Sequence, residues 1–203
     1  MILAFDTSTA ACTAALFDGS GVCLGRRDEI IGRGHAERLV PMIAELLDGR
    51  SATRILVGVG PGSFTGLRVG IAAAHGLAIG WDAELSGFSS LALIATGVDG
   101  AEPVAAAMHG GHGELFVQQF DGDPRRAASD LFNLDPAAAA AQIDSEMVAG
   151  PGAADLVAAR GHGRAIAGWP CAADALKLAD DLRALPAKPL YGRAPDARAL
   201  AIA

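Results

Sequence analysis

Two short stretches carry residue types that could meet a phosphate. Asp6-Thr7-Ser8-Thr9 sets a carboxylate and three hydroxyls at the end of the apolar run Ile2 to Asp6. Such a turn can aim hydroxyls and backbone N–H groups at an anion. It can equally be a polar hairpin turn that bonds to its own backbone. Gly60-Pro61-Gly62-Ser63 separates the strand-like run Ile55 to Val59 from a long helical pattern starting at Phe64. Glycines there permit a tight turn and expose helix N-terminal donors, which favour anions. The loop lacks the Gly-Lys-Ser/Thr of a P-loop and misses G-x-G-x-x-G by one residue. No lysine is near, and Arg68 falls inside the helix. Asp6, Thr7, Ser8 and Thr9 therefore stand as candidate nucleotide-contacting residues, with ATP or ADP as the ligand.

Other chemistry is harder to assemble. The histidines are His35, His75, His109, His112 and His162, and none form an i, i+4 pair on a helix. His109 and His112 flank two glycines at a turn, a poor frame for fixed ligand geometry. Neither Ser8 nor Ser63 has a histidine at a spacing that implies activation, and G-x-S-x-G is missing. A peptidase is disfavoured, and we assign no catalytic or metal-binding residue. Cys12, Cys23 and Cys171 are odd in number and widely spaced, and read as buried free thiols of a reducing cytosol.

The elements that would position these turns can be read from periodicity. Ile2 to Asp6, Ala11 to Phe17 and Val22 to Glu29 read as strands, the last two joined by Asp18-Gly19-Ser20-Gly21. A helix follows from about Gly34 to Asp48, with Leu39, Met42, Ile43, Leu46 and Leu47 as one apolar stripe. Ala36, Val40 and Ala44 form a second, shallower face, and one buried stripe would suffice for a surface helix. Pro41 removes a backbone donor inside it. The strand Ile55 to Val59, the helix from Phe64 to Gly80, a short strand near Ala83 to Leu85 and a helix from Ser89 to Thr96 complete this half.

In the second helix Gly66, Gly70 and Ala74 recur every four residues. A helix-interior glycine costs about 1 kcal/mol relative to alanine, so a close approach must offset it. The approach is either to the chain's own sheet or to a helix of another subunit. The two-faced helix at Gly34 to Asp48 favours the second.

The second half repeats the order. Pro103 to Met108, Glu114 to Phe120 and Arg125 to Phe132 read as strands, and Pro136 to Gln142 as a helix capped by Asp135. Met147 to Ala149 is a strand, Gly150-Pro151-Gly152 leads into a helix through Arg160, Arg164 to Ala167 is a strand, and Ala172 to Leu185 a helix. The tail from Pro186 reads as irregular. We expect two related βββαβα units, residues 1–100 and 101–203, in an α/β fold.

Composition narrows the function. The 203 residues carry a formal charge of −7 and only 19% charged side chains. Nucleic-acid binding rests on neutralising phosphates with Lys and Arg, and the densest basic clusters are the pairs Arg26-Arg27 and Arg125-Arg126. The chain alone is a poor RNA binder. The longest apolar stretch, Val69 to Trp81, is too short and interrupted to span a bilayer, and a cytoplasmic location is expected.

ILAFDTSTAACTAALFD, HAERLVPMI, VGVGPGSFTGLRVGIAAAHGLA and GFSSLALIA resemble the TsaB (YeaZ) family. The nonamer Gly60 to Arg68 is its most specific match, and Pro189-Leu190-Tyr191-Gly192-Arg193 resembles that family's P-x-Y-x-R ending. The resemblance implies an actin-like ATPase fold of the sugar-kinase and Hsp70 type, built from ribonuclease H-like units. It implies service in tRNA threonylcarbamoyladenosine synthesis as a non-catalytic partner of the related transferase TsaD, with a TsaE-like ATPase joining and tRNA contacted only indirectly. It implies homodimers when the chain is alone, and docking through the two helices of the first half. On that basis His35, Leu39, Met42, Ile43, Leu46, Gly66, Arg68, Gly70 and Ala74 are expected to line the docking surface.

Two positions separate the chain from that transferase. TsaD carries H-x-x-x-H in a G-V-N-H-L-E-x-H setting, and the matching stretch Gly87 to Ile94 places Ser90 and Ile94 where the ligands would be. Isoleucine cannot bind a metal. The family's D-A-R loop is here His109-Gly110-Gly111, with Phe116 for its tyrosine.

Overall fold

The apolar run Ile2–Asp6 forms strand β1, buried at every position, and the first sheet is laid around it. The computed structural model describes residues 1–190. In it β1 pairs antiparallel with β2 (Ala11–Phe17), and β3 (Cys23–Ile30) forms the edge beyond β2. On its other side β1 pairs parallel with β4 (Arg54–Gly60), and β4 with β5 (Glu84–Ser89). Alternation along the central strands divides their side chains between two cores. Leu3, Phe5, Ala14, Leu16, Ile55 and Val57 face helices α1 (His35–Leu47) and α2 (Phe64–Trp81). Ile2, Ala4, Ala15 and Leu56 face helix α3 (Ser90–Thr96).

The second sheet is built from β6 (Val104–His109), β7 (Leu115–Asp121), β8 (Arg126–Ala127), β9 (Phe132–Leu134), β10 (Met147–Ala149) and β11 (Arg164–Ile166). Helices α4 (Pro136–Ala140) and α5 (Ala153–Arg160) pack on it. The first sheet runs β3-β2-β1-β4-β5, and the second β8-β7-β6-β10-β11 with β9 also on β7. Each is therefore third-second-first-fourth-fifth, with the second strand antiparallel to the first and the fourth parallel to it. This is the ribonuclease H-like unit twice over. The expected actin-like α/β fold is present, and duplication shows in the wiring where no repeat shows in the letters. The two units share one core: α3, buried from Ser90 to Ala95, packs with Phe88 on one side and Val104, Met108, Phe116 and Phe120 on the other.

Three expectations change. Arg125 to Phe132 is not one strand, because the hydroxyl of Ser129 takes the N–H of Gln119 that a continuing ladder would use (2.9 Å). Arg125 itself turns inward and donates to the carbonyls of Glu102 and Val98. Ala172 to Leu185 is not one helix. A 3-10 turn at Ala172–Lys177 and helix α6 (Asp180–Arg183) follow the first sheet instead, anchored where Ala172 N–H donates to the buried Thr13 hydroxyl (2.8 Å). Finally, a division at residue 100 assigns residues 172–190 to the second unit, yet they pack on the first sheet. Leu185 and Gly87 exchange backbone hydrogen bonds, and Leu190 N–H reaches the carbonyl of Val59 (2.7 Å). Tyr191, Gly192 and Arg193 lie outside the described residues.

Candidate docking surface

The phosphate-like turns close on each other. The carboxylate of Asp6 accepts from Ser8 N–H (2.7 Å) and Ser8 Oγ (2.6 Å) at Oδ1, and from Ser90 Oγ (2.6 Å) at Oδ2. Gly58 packs against this carboxylate so tightly that a Cβ there would overlap it. Burial raises the pKa of the Asp6 carboxyl, against the opposing pull of the Ser8 and Ser90 hydrogen bonds and of His35. Thr7 Oγ1 donates to the carbonyl of Gly66 in α2 (2.7 Å), and Ser63 N–H donates to the carbonyl of Ser8 (2.7 Å). Ser63 also caps α2 by accepting from Gly66 N–H (3.2 Å). Asp6, Thr7 and Ser8 are buried, and partly buried Thr9 accepts from Ala11 N–H (3.1 Å). The turn's polar groups are thus taken up by one another, by α2 and by α3.

Most of the residues expected to line a docking surface are buried in this chain. Gly66, Gly70 and Ala74 lie on the buried side of α2. A Cβ on Gly66 would overlap the Thr7 carbonyl oxygen, and one on Gly70 would sit 2.5 Å from Thr7 Oγ1. Of the two close approaches weighed for these glycines, the chain uses the one to its own sheet. Leu39, Met42, Ile43 and Leu46 are core residues of α1, and His35 is buried with Nε2 3.2 Å from the carbonyl of Ala11. Of the nine, only Arg68 is exposed, its guanidinium 3.5 Å above the ring of Phe64.

What the two helices turn outward is different. On α1 it is the shallower face, Ala36, Val40 and Ala44, with Val40 53% exposed. On α2 it is Phe64 (54% exposed), Ala72, Gly76 and Ile79 (84%), with Thr65, Arg68 and His75 exposed among them. A surface helix ordinarily presents polar side chains on its outer face. Across its 18 residues α2 carries no acid and, besides His75, only Arg68 as a basic residue. That scarcity of charge along α2 is readable from its sequence. The helices touch one another, and a charged cluster borders α1. There Arg38 bonds both Glu29 (2.6 and 2.8 Å) and Glu45 (2.8 Å) and holds the two carboxyls below the usual carboxylate range.

Elsewhere the chemistry is sparse. Ser90 and Ile94 are both buried, Ser90 on Asp6 and Ile94 close to Gly150. His109 Nε2 lies 2.8 Å from Asp155. Among the described residues no three His, Cys, Asp or Glu side chains cluster as a metal site, and no helix is long and apolar enough to cross a membrane. Cys12 is buried, which pushes its thiol up to about 11, but Cys23 is exposed, against the expected burial.

Two ribonuclease H-like units around a shared core define an α/β protein of the actin-like class. A family model described as "TsaD: tRNA N6-adenosine threonylcarbamoyltransferase" matches residues 27–164. "tRNA threonylcarbamoyladenosine biosynthesis protein TsaB" of Escherichia coli K12 is 39% identical over 130 residues, covering 60% of this chain and 55% of that protein. The Haemophilus influenzae protein of the same name is 37% identical over 127 residues, covering 58% and 52%. The match thus spans about half the length of these curated relatives. The solved structure titled "YeaZ from Pseudomonas aeruginosa" superposes with a TM-score of 0.78 at 32% identity, covering 94% of this chain and 98% of that one. The chain belongs to the TsaB (YeaZ) family.

Proposed function

We propose that this chain is a non-catalytic docking subunit in the synthesis of threonylcarbamoyladenosine in tRNA, and that it holds a TsaD-like transferase in its working arrangement. The observation that carries this reading is the exposed apolar face of α1 and α2: Ala36, Val40, Ala44, Ala72 and Ile79, edged by Phe64 and Arg68. Exposed apolar side chains gathered on two neighbouring helices suit a protein interaction site. Arginine is among the residue types over-represented where binding energy concentrates, and Arg68 stacks on Phe64 beside these residues. The same face serves a second copy of the chain when the transferase is missing, and a TsaE-like ATPase joins the assembly rather than this face. The closed Asp6 turn supports a role without nucleotide chemistry, and the charge of −7 leaves tRNA contact to the partners.

Reconstitution tests the reading. The transferase and ATPase from the same cell are incubated with tRNA, ATP and threonylcarbamoyl donor, and modified adenosine is measured by mass spectrometry. Product is expected only when this chain is added. Full product without it, or product made by this chain with no transferase present, contradicts the role.

A further inference from the structure

The outer face of α2 is only as well placed as the helix that carries it, and its first turns seat through the buried side chains of Leu67 and Ile71 and, beside them, through two inward glycines, Gly66 and Gly70. The nearest contact at both glycines is one residue, Thr7: its backbone carbonyl oxygen abuts Gly66, its hydroxyl abuts Gly70, and the same hydroxyl donates to the carbonyl of Gly66 (2.7 Å). One residue further along, the Ser8 carbonyl accepts from Ser63 N–H, at the cap of the same helix (2.7 Å).

The turn that presents Thr7 is itself held from the opposite side. Asp6 binds Ser8 through both the backbone and the hydroxyl, and Ser90 at the start of α3 completes the carboxylate. Because α3 is buried between the two sheets, a continuous path of hydrogen bonds runs from the shared core through Ser90, Asp6 and the turn into α2. A small shift at a closely packed helix start is passed on to its outer face, because close-packed interiors transmit strain.

We propose that Thr7 is a positioning residue for the docking face, its hydroxyl setting the seat of α2 while Asp6 and Ser90 hold the turn that aims it. This rests on the docking reading above. The hydroxyl never meets the partner; it acts through the helix.

The experiment compares the full chain with Thr7→Val and Thr7→Ser, titrating each into the transferase by calorimetry and following hydrogen exchange at the amides of Leu67 to Gly70. Thr7→Val keeps the shape but removes the donor. It is expected to weaken docking about tenfold, equivalent to roughly 1.4 kcal/mol, and to speed exchange in the first turns of α2. Thr7→Ser restores the donor and is expected to return both readouts toward wild type, which mere loss of core packing would not do. Ile79→Arg, on the outer face and away from Thr7, separates the two claims. If Ile79→Arg loses docking while Thr7→Val binds as wild type, the positioning role is overturned and the docking reading stands. If both bind as wild type, the docking reading falls and this one with it. Should Thr7→Val fold poorly, Ser90→Ala is measured instead: faster exchange in α2 with weaker docking supports the path, and unchanged values overturn it.

Discussion

The guanidinium of Arg68 lies 3.5 Å above the centroid of the Phe64 ring, one helical turn away on the outside of α2. At an exposed site such a pair is worth about 0.5–1 kcal/mol, enough to bias both side chains toward one arrangement before a partner arrives. Pre-ordered aromatic and arginine side chains reduce the entropy lost on binding. Phe64→Ala is therefore expected to weaken association with the transferase by more than about 1 kcal/mol, and calorimetry with the purified pair checks it. The melting temperature of the isolated chain should move little.

Glycines on the two sides of α2 should respond oppositely. Gly70 faces Thr7 at a distance that admits no Cβ, so Gly70→Leu must displace backbone or the turn. A loss of about 1–3 kcal/mol in urea unfolding is expected, the usual cost of overpacking, with any loss of docking following from it. A Cβ on Gly76 meets nothing within 4 Å. Gly76→Ala should raise stability by about 0.8–1 kcal/mol through helix propensity.

Acid stability should be divided between two sets of carboxyls. The folded pKa values of Glu29 and Glu45 are lowered by Arg38. Their contribution is present above the ordinary value of 4.5 and is lost as pH falls through the lowered folded values. In Glu29→Gln the fall in melting temperature on acidification should be shallower than in wild type.

Asp6 works in the other direction. Its folded pKa is raised, chiefly by burial, so its share of stability is full below the ordinary value of 3.8 and is lost as pH rises through the raised folded value. Ser90 lessens that loss by donating to the charged form. Ser90→Ala should therefore destabilise more above the raised folded value than below it, read as a melting-temperature difference from wild type that widens as pH rises. A constant difference would mean that the Ser90 hydroxyl does not favour ionised Asp6.

Much of this fold was legible because its signals are local. The buried run Ile2 to Asp6, the Asp18 to Gly21 turn, the stripe Leu39 to Leu47 and the Asp135 cap each announce their element through composition or period. What escaped depends on contacts between distant residues. The Ser129 hydroxyl interrupts a strand by bonding Gln119, and Thr13 draws the chain at Ala172 onto the first sheet across 159 positions. The candidate site shows the same split. The second face Ala36, Val40, Ala44 was readable from spacing, and it is the face that stays exposed. Spacing could not say which side of α2 the glycines occupy, because the answer lies in Thr7, 59 residues earlier.

On the proposed function, the outer face of α1 and α2 receives the transferase. The most direct test is a calorimetric titration of the purified transferase with wild-type chain and with Val40→Arg and Ile79→Arg, both at exposed positions where folding should be unaffected. Saturable binding by wild type that is lost in both variants, at unchanged melting temperatures, is the expected result. Wild-type affinity in both would contradict it.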